Sequence, residues 1–137
     1  MGPELFLDTS YAIALASDKD HFHQLAVEIA TQIKKDHAYL ITTRAVMLEI
    51  GNGLSGRRYR EAAIQLLDAI EADPTVGIVP LTETLYAQAL KLYRERPDKE
   101  WGLVDCISFV VMQERKIRQA LTADKHFQQA GFEVLLK

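Results

Sequence analysis

The sequence predicts an α/β fold with three layers, in which helices cover both faces of a mostly parallel sheet of about five strands. Short apolar runs, typical of buried strands, alternate with longer stretches whose apolar residues recur every three or four positions, as on one face of a helix. Strands that are separated by helices pair in parallel through crossover connections. With 137 residues, 48% hydrophobic and 26% charged, the chain has the size and composition of one globular domain, residues 1–137.

The first half of the chain predicts two strands and four helices. The opening apolar run is typical of a buried strand, and Thr43 can cap the helix that follows the second strand. Asp73-Pro74 ends the fourth helix, because a residue before proline avoids the helical conformation. In chain order, we expect a strand at 4–8, helices at 10–17 and 22–35, a strand at 39–42, and helices at 44–54 and 57–72.

The second half predicts three strands and three helices. Pro80 lies near the end of a strand, where a missing amide does least harm, and Thr82 can cap the next helix. The stretch after Asp105 is apolar on nearly every side, which predicts a helix buried between other elements. Gly131 is a typical helix stop. We expect a strand at 76–81, helices at 82–95 and 104–115, a strand at 119–122, a helix at 124–129 and a strand at 133–136.

Charge and cysteine content exclude some classes of protein. The formal net charge of −3 excludes a strongly basic surface that attracts nucleic acid as a whole, although a local basic rim is compatible with it. Cys106 is alone, so no disulfide forms within the chain. The chain has neither a signal-peptide pattern nor an apolar run long enough to span a membrane, so we expect a soluble, cytoplasmic protein.

Four carboxylates lie within or directly after apolar segments: Asp8, Glu49, Asp105 and Asp124. An isolated charge is costly to bury, so acids in such places need a cation, hydrogen bonds or a raised pKa. Asp8 and Asp124 follow strands, and sites in parallel sheets form beyond the carboxyl ends, where the strand order switches. We therefore expect the four acids to converge there and to bind Mg²⁺ or Mn²⁺. Zn²⁺ is disfavoured, because no His or Cys set with ligand spacing accompanies the acids.

Each acid also has a purely structural interpretation. Asp8 and Asp124 precede helices and could simply cap them. Asp105 could favour the dipole of its helix. Glu49 is too far into its helix to cap it, but it could pair with Arg44 or another exposed base. All four coincidences together are less probable than any single one.

Four segments carry a resemblance to a known family: LFLDTSYAIAL at the start, TTRAVMLEIGNGL around Glu49, WGLVDCISFVVMQERKI around Asp105 and ALTADKHFQQAGFEVLL at the end. In this order and spacing they resemble the PIN domains, and within these the VapC-like toxins of prokaryotic toxin–antitoxin pairs. The resemblance covers nearly the whole chain. The family's acidic centre maps onto the same four acids, and its polar residue one turn after the third acid is Ser108. Hydroxyl positions near the family site match Thr9, Ser10 and Thr122.

The resemblance implies a Mg²⁺- or Mn²⁺-dependent endoribonuclease that cuts single-stranded segments of structured RNA, with tRNA and rRNA as target classes. Asp8 and Asp105 would be the principal metal ligands. Glu49 and Asp124 would be further ligands or would orient water. The resemblance also implies a homodimer and a cognate antitoxin. Ala45, Leu48 and Leu54 are candidates for the dimer surface, although core packing explains them equally well.

Candidates for RNA binding are few, and most have a second interpretation. Basic residues could hold phosphates, and aromatic residues could stack on unpaired bases. A solvated helix start explains the GRRYR segment as well, a surface contact explains His126, and core packing explains Trp101 and Cys106. The basic candidates are Arg44, Arg57, Arg58, Arg60, Lys125 and His126, and the aromatic ones are Tyr11, Tyr59 and Trp101.

Two other functions stay open at this point. A catalytically weak PIN-like module would bind RNA or a protein without cleaving, but the intact set of acids argues against it. A receiver-type phospho-acceptor also gathers acids and Mg²⁺ at strand ends. Receiver domains have a pair of acids near the end of the first strand, and only Asp8 occupies that end here.

Overall fold

Five strands form one fully parallel sheet in the computed structural model, which describes residues 2–137. The strands are β1 (Glu4–Leu7), β2 (Tyr39–Thr43), β3 (Val76–Val79), β4 (Gln119–Leu121) and β5 (Glu133–Val134). Their order across the sheet is β3-β2-β1-β4-β5, so β1 lies in the centre. The chain leaves β1 in one direction for β2 and β3 and returns on the other side as β4, so the strand order switches between β1 and β4.

Helices cover both faces of this sheet, as the sequence predicted. Right-handed crossovers place the helices between β1 and β3 on one face and those after β3 on the other. In agreement with this, α1 packs on α2, α3 and α4, whereas α6 packs on α5 and α7. The helices are α1 (Thr9–Ala16), α2 (His23–Lys35), α3 (Arg44–Gly53), α4 (Arg60–Ala72), α5 (Glu83–Glu95), α6 (Leu103–Arg115) and α7 (Lys125–Gln129).

An aromatic cluster in the core ties α6 and α7 to the central strand. Phe6 of β1, Phe109 of α6 and Phe127 of α7 are fully buried. The ring centroids of Phe109 and Phe127 are 5.0 Å apart in an edge-to-face arrangement, and those of Phe6 and Phe127 are 6.2 Å apart. Aromatic pairs of this kind add to the hydrophobic stabilisation. The starts of α6 and α7 are therefore held at fixed positions beside the end of β1.

The predicted elements are all present, and only their ends differ. The fourth helix begins at Arg60 rather than at residue 57, because the amides of Tyr59 and Arg60 both donate to the Gly56 carbonyl in a preceding turn. The third strand ends at Val79, since Pro80 has no amide to extend the ladder. No helix among residues 2–137 is both long enough and apolar enough to cross a membrane.

Gly131 offers a test of the turn that follows α7. Its φ is +96°, a conformation that side chains with a Cβ rarely adopt. We expect Gly131→Ala to lower the free energy of unfolding by about 1–2 kcal/mol, measured by urea denaturation. The matched control is Gly56→Ala, at a glycine with open space around it and no positive φ. An equal loss in both variants would contradict this explanation.

Candidate active site

Asp8 lies directly beyond the carboxyl end of β1, at the switch in strand order. Its side chain is only 6% exposed, and its backbone N–H donates to the Leu121 carbonyl at 3.2 Å, which continues the pairing of β1 with β4. Asp8 occupies the N-cap position of α1, but its side chain makes no capping hydrogen bond. The cap interpretation of Asp8 is therefore wrong, and the carboxylate points elsewhere.

The hydroxyl of Thr122, just after β4, links the segments that follow the two central strands. It donates to Asp8 Oδ2 at 2.7 Å and accepts from the Asp124 backbone N–H at 3.0 Å. Ser10 Oγ lies 3.0 Å from the same hydroxyl and accepts from the Ala123 N–H. These bonds fix the approach of Asp124 to Asp8. Of the predicted supporting hydroxyls, Thr122 contacts Asp8 directly, whereas Ser10 acts through Thr122 and the Ala123 N–H.

Glu49 reaches the same region from α3. It is half-buried, and its Oε1 accepts a 2.8 Å hydrogen bond from the hydroxyl of Thr9, the first residue of α1. Arg44, the base considered as its partner, instead pairs with Glu71 on α4. The interpretation of Glu49 as one half of a surface ion pair with Arg44 is therefore wrong.

Asp105, Asp124 and His126 form the third part of the site. Asp105 lies in the first turn of α6, where its Oδ2 accepts from the Gly102 N–H at 3.0 Å. Asp124 caps α7, as one interpretation of the sequence expected, by accepting from the His126 backbone N–H at 2.9 Å. The imidazole Nδ1 of His126 lies 3.1 Å from Asp105 Oδ2 and 3.4 Å from Asp124 Oδ1. One potential ligand atom from each of the three residues lies within 4.8 Å of the others.

Three of the four acids have raised pKa values, and the charges of all four take part in the repulsion that contributes to this. Burial raises the pKa of Asp8 from 3.8 to about 7; repulsion from Asp105 and Glu49 adds to this, while Thr122 and the Thr9 N–H oppose it. Burial, followed by repulsion from Asp105 and Asp124, also raises the pKa of Glu49. The convergence expected from the sequence is therefore present.

The pKa of Asp105 is raised in the same way. Burial is the largest cause and repulsion from Asp124 adds to it, whereas the Gly102 N–H and the side chain of His126 oppose it. Among residues 2–137, no lysine or arginine forms a salt bridge with any of the four acids. The negative charge of the cluster is therefore not balanced by a strong base.

The free carboxylate oxygens suit a hard cation. In each of the four acids, one carboxylate oxygen accepts hydrogen bonds. The other oxygen accepts no hydrogen bond of normal geometry from a described residue. Carboxylate oxygens are the donors that Mg²⁺ and Mn²⁺ prefer, and a bound cation would relieve the mutual repulsion. The engaged oxygens are Asp8 Oδ2, Glu49 Oε1, Asp105 Oδ2 and Asp124 Oδ1.

Two polar groups of α6 stand apart from this cluster. The buried Ser108 hydroxyl donates to the Val104 carbonyl of its own helix, so no described hydrogen bond links it to an acid. Cys106 is fully buried, and burial followed by the charge of Asp105 raises the pKa of its thiol to about 11. The burial confirms the prediction that Cys106 is a core residue, and a thiol with so high a pKa is protonated at neutral pH.

The aromatic candidates do not face the solvent. Tyr11 is buried, which raises the pKa of its hydroxyl to about 12, and it cannot stack on a base. Trp101 is buried too; its ring packs edge-to-face on Phe109, and its Nε1 donates to Gln129. Stacking by these two residues was a wrong expectation, whereas packing was the correct alternative for Trp101. Tyr59 is half-buried beneath the guanidinium of Arg58.

Apart from His126, the basic candidates are exposed, and none of them forms a hydrogen bond or salt bridge with the four acids. Arg57 and Arg58 lie in the turn before α4, and Arg60 donates to the Ser55 carbonyl. Lys125 follows Asp124 directly and forms no salt bridge with any residue in the range 2–137. Their role in RNA binding stays a prediction.

The three candidates for a dimer surface differ in their exposure to solvent. Ala45 and Leu54 are buried in the core, so they cannot form such a surface. Leu48 is 60% exposed, although it lies in the same helix. Its side chain is the member of this group that is free to contact a partner.

A large apolar cleft lies away from the acidic site. It has a volume of about 500 Å³ and lies between α1, α2 and α4, with Tyr11, Ile33 and Leu66 among its mostly apolar lining. None of the four acids lines it. An apolar cleft of this kind suits a side chain or a helix face better than a phosphate.

The role of His126 in the cluster was missed. The sequence made His126 a candidate for RNA binding and showed no set of His or Cys with ligand spacing, but the imidazole of His126 lies between two of the acids. The spacing Asp124-x-His126 across a helix start was the available signal. It was not decisive, because the contact with Asp105 depends on how α7 packs against α6.

This fold and this edge-of-sheet cluster of acids define a class of protein. Residues 5–133 match the model of the PIN domain, and the chain belongs to that family. Membership removes the receiver-type phospho-acceptor from consideration.

Similar proteins narrow the class further. The chain is 29% identical over 128 residues to the 23S rRNA-specific endonuclease VapC20 of Mycobacterium tuberculosis, covering 93% of this chain and 95% of the relative. The crystal structure of that protein, described as a Sarcin-Ricin loop cleaving toxin, superposes with a TM-score of 0.84 at 28% identity over the same shares of both chains.

More distant structures share the fold alone. VapBC2 from Rickettsia felis, solved with a fragment of promoter DNA, matches with a TM-score of 0.67 at 13% identity and 96% coverage of both chains. FitAcB from Neisseria gonorrhoeae matches with a TM-score of 0.64 at 19% identity and 95% coverage of both chains.

Asp8 should make the stability of the protein depend on pH. Its folded-state pKa of about 7 lies above the unfolded value of 3.8, so the folded state holds this proton more tightly. The stability that the protein gains from this bound proton is fully present below about pH 4 and is lost as the pH rises through about 7. Asn cannot ionise, so Asp8→Asn removes the cost of holding a charged carboxylate at this buried position. In EDTA, we therefore expect the substitution to raise the free energy of unfolding by roughly 2–3 kcal/mol more at pH 8 than at pH 5, since one pKa unit corresponds to about 1.4 kcal/mol. Urea unfolding at both pH values measures this.

The control for that experiment is Asp18→Asn, at an exposed acid after α1. Its effect should be small and the same at both pH values. If Asp8→Asn gave no gain at pH 8 over pH 5, the raised pKa of Asp8 would be disproved.

Thr122→Val removes the hydroxyl that joins Asp8 to Asp124 while keeping the shape of the side chain. We expect it to lower the free energy of unfolding by about 2–3 kcal/mol, because hydrogen bonds to charged groups contribute this much. The loss should be greater at pH 8 than at pH 5, since the bond favours the ionised form of Asp8. Thr122→Ser should retain most of the stability, and Thr31→Val, at an exposed threonine of α2, should be nearly neutral. Equal losses for Thr122→Val and Thr122→Ser would refute this role.

Proposed function

We propose that the protein is a metal-dependent endoribonuclease, the toxin of a toxin–antitoxin pair, which hydrolyses phosphodiester bonds in single-stranded regions of structured RNA. The observation that carries this proposal is the cluster of four mutually repelling carboxylates that no lysine or arginine neutralises. The identity of 29% with a 23S rRNA-specific endonuclease over nearly the full length of both chains supports the same function. No observation favours the alternative of a binding module that does not cleave.

The surroundings of the four acids suggest which of them are the principal metal ligands. Asp8 is the most buried and is fixed by Thr122, so it is suited to hold a ligand in one position. Asp105 reaches the site from the opposite face of the sheet, held by the Gly102 N–H. We assign these two as the principal metal ligands. Glu49, oriented by Thr9, and Asp124 are assigned as further ligands or as groups that orient the attacking water.

The cofactor in this proposal is Mg²⁺ or Mn²⁺. When bound, such a cation polarises the scissile phosphate, lowers the pKa of a water molecule and stabilises the leaving 3′ oxygen. The chain itself then has three tasks: to hold the ligand oxygens in place, to accept the proton of the water at a carboxylate oxygen, and to position the RNA. No nucleophilic side chain is required, which agrees with the protonated, buried state of Cys106.

The substrate class follows from the relative and from the surface. VapC20 is named for its action on 23S rRNA, and we propose structured rRNA or tRNA as the target class here. An acidic centre repels RNA unless basic groups flank it. Arg57, Arg58, Lys125 and, once released from Glu71, Arg44 are exposed groups that could hold phosphates beside the centre. Arg60 and His126 complete the proposed set.

We propose two protein partners. A cognate antitoxin would inhibit the toxin, in line with the shared fold of the VapBC2 and FitAcB structures. A second copy of the chain would form a homodimer that includes the exposed Leu48. In keeping with these partners and with the RNA substrate, we propose a cytoplasmic location.

The nuclease assignment predicts that two single substitutions abolish cleavage. We expect Asp8→Asn and Asp105→Asn to reduce the rate of cleavage by roughly 100-fold or more, because each removes a ligand of the cation that stabilises the transition state. The assay uses purified protein freed of antitoxin, total bacterial RNA with Mn²⁺ or Mg²⁺, and mapping of the cut ends by primer extension. EDTA should stop the wild-type reaction.

The matched control is again Asp18→Asn, which should cleave at the wild-type rate and at the same positions. Circular dichroism confirms that each variant is folded. Wild-type activity in either Asp8→Asn or Asp105→Asn, or cuts that persist in EDTA, would refute the assignment. Discrete cuts in 23S rRNA would identify the substrate, whereas cuts confined to tRNA would assign the protein to the other target class.

A further inference from the structure

We propose that His126 is itself a metal ligand, so that the site is a mixed nitrogen and oxygen site that favours Mn²⁺ over Mg²⁺. This inference rests on the metal site of the proposed function and deepens it. It differs from an all-carboxylate centre in the donor set and in the preferred ion.

The spacing of the three side chains is the first support. Ligands that occupy neighbouring corners of an octahedron around a cation with bonds of about 2.1 Å are about 3 Å apart. His126 Nδ1 lies 3.1 Å from Asp105 Oδ2 and 3.4 Å from Asp124 Oδ1. One ligand atom from each of the three residues lies within 4.8 Å of the others. Asp105 Oδ2 and Asp124 Oδ1 accept hydrogen bonds, but a carboxylate oxygen has a second lone pair that can bind a cation, so a small movement brings the three donors to the separation that a shared cation requires.

The imidazole is also held in place independently of any ion. Its backbone N–H is bound by the Asp124 carboxylate, and the next residue, Phe127, is fully buried against Phe109 of α6. The side chain of His126 is 21% exposed, so most of it is shielded from water. A side chain fixed in this way loses little conformational freedom when it binds an ion, which favours its use as a ligand.

The donor set decides which ion is preferred. Mg²⁺ binds through oxygen ligands and retains water. Mn²⁺ also favours oxygen ligands but is a first-row transition ion, so it accepts an imidazole nitrogen more readily than Mg²⁺ does. A site with Asp105, Asp124 and His126 thus gains affinity for Mn²⁺ from its nitrogen and gains little for Mg²⁺. The sequence disfavoured Zn²⁺ because no His or Cys set with ligand spacing accompanies the acids, and the structure places a single histidine, His126, beside two of them.

Nitrogen coordination can be observed directly, without an assay of activity. Pulsed electron paramagnetic resonance of the wild-type protein with Mn²⁺ detects the magnetic coupling of a bound ¹⁴N nucleus. We expect a coupling of the size typical of ligated imidazole in wild-type protein, and its loss in His126→Asn. Labelling of histidine with ¹⁵N should change the signal accordingly. The wild-type spectrum alone decides the question if a variant does not fold.

Calorimetric titration measures the affinities of the wild-type and variant proteins for Mn²⁺ and Mg²⁺. His126→Asn should weaken Mn²⁺ binding by about tenfold or more and should change Mg²⁺ binding much less. His126→Asp supplies an oxygen in place of the nitrogen, so it should shift the preference toward Mg²⁺ while the ¹⁴N coupling disappears. If His126 only donated a hydrogen bond to Asp105, this variant could not replace it, and affinity for both ions would fall together.

The control histidine is His37, an exposed residue in a left-handed conformation that asparagine tolerates. His37→Asn should leave the spectrum and both affinities unchanged. A wild-type Mn²⁺ complex without ¹⁴N coupling, or a coupling that survives in His126→Asn, would overturn the proposal.

The outcomes also separate this inference from the proposed function. If Mn²⁺ binds, is lost in Asp105→Asn and shows no nitrogen coupling, His126 is not a ligand but the acidic metal site stands. If neither ion binds the wild-type protein at all, both the inference and the metal-dependent mechanism are wrong.

Discussion

Repulsion among four buried and half-buried carboxylates is the constraint on which the rest of this structure depends. A parallel sheet brings the carboxyl ends of β1 and β4 together, and with them Asp8 and Asp124. The surrounding hydroxyls, amides and imidazole each oppose part of the resulting charge. They do not remove it, because the pKa values of Asp8, Glu49 and Asp105 stay raised. The edge of the sheet is thus prepared for a cation at the expense of folding stability.

Much of this arrangement could be predicted from the sequence, because it follows from local patterns. The alternation of strands and helices determined the layers, and the places of Asp8 and Asp124 after strands determined their edge. Other features depend on packing between distant segments and carry no local signal. Leu48 and Leu54 look alike in sequence, yet one is exposed and the other buried. The place of His126 depends on the aromatic cluster that holds α7 on α6, which periodicity cannot reveal.

Hydroxyl groups hold two of the four acids in position through hydrogen bonds. Thr9 and Thr122 each donate to a carboxylate, and each belongs to a segment that comes from a different side of the switch point. A hydroxyl can satisfy a carboxylate without neutralising it, whereas a lysine or arginine in the same place would compete with a cation. The choice of neutral donors therefore keeps the acids ordered and still available.

The order of the strands also bears on how the centre is assembled. β1 and its neighbour β4, which carries the chain to Asp124, are far apart in sequence. Until β4 has been synthesised, a growing chain can hold at most three of the four acids, and the side of β1 that must receive β4 is unpaired. The complete centre therefore depends on a strand pairing of long sequence separation, which forms late in folding because distant segments must first meet.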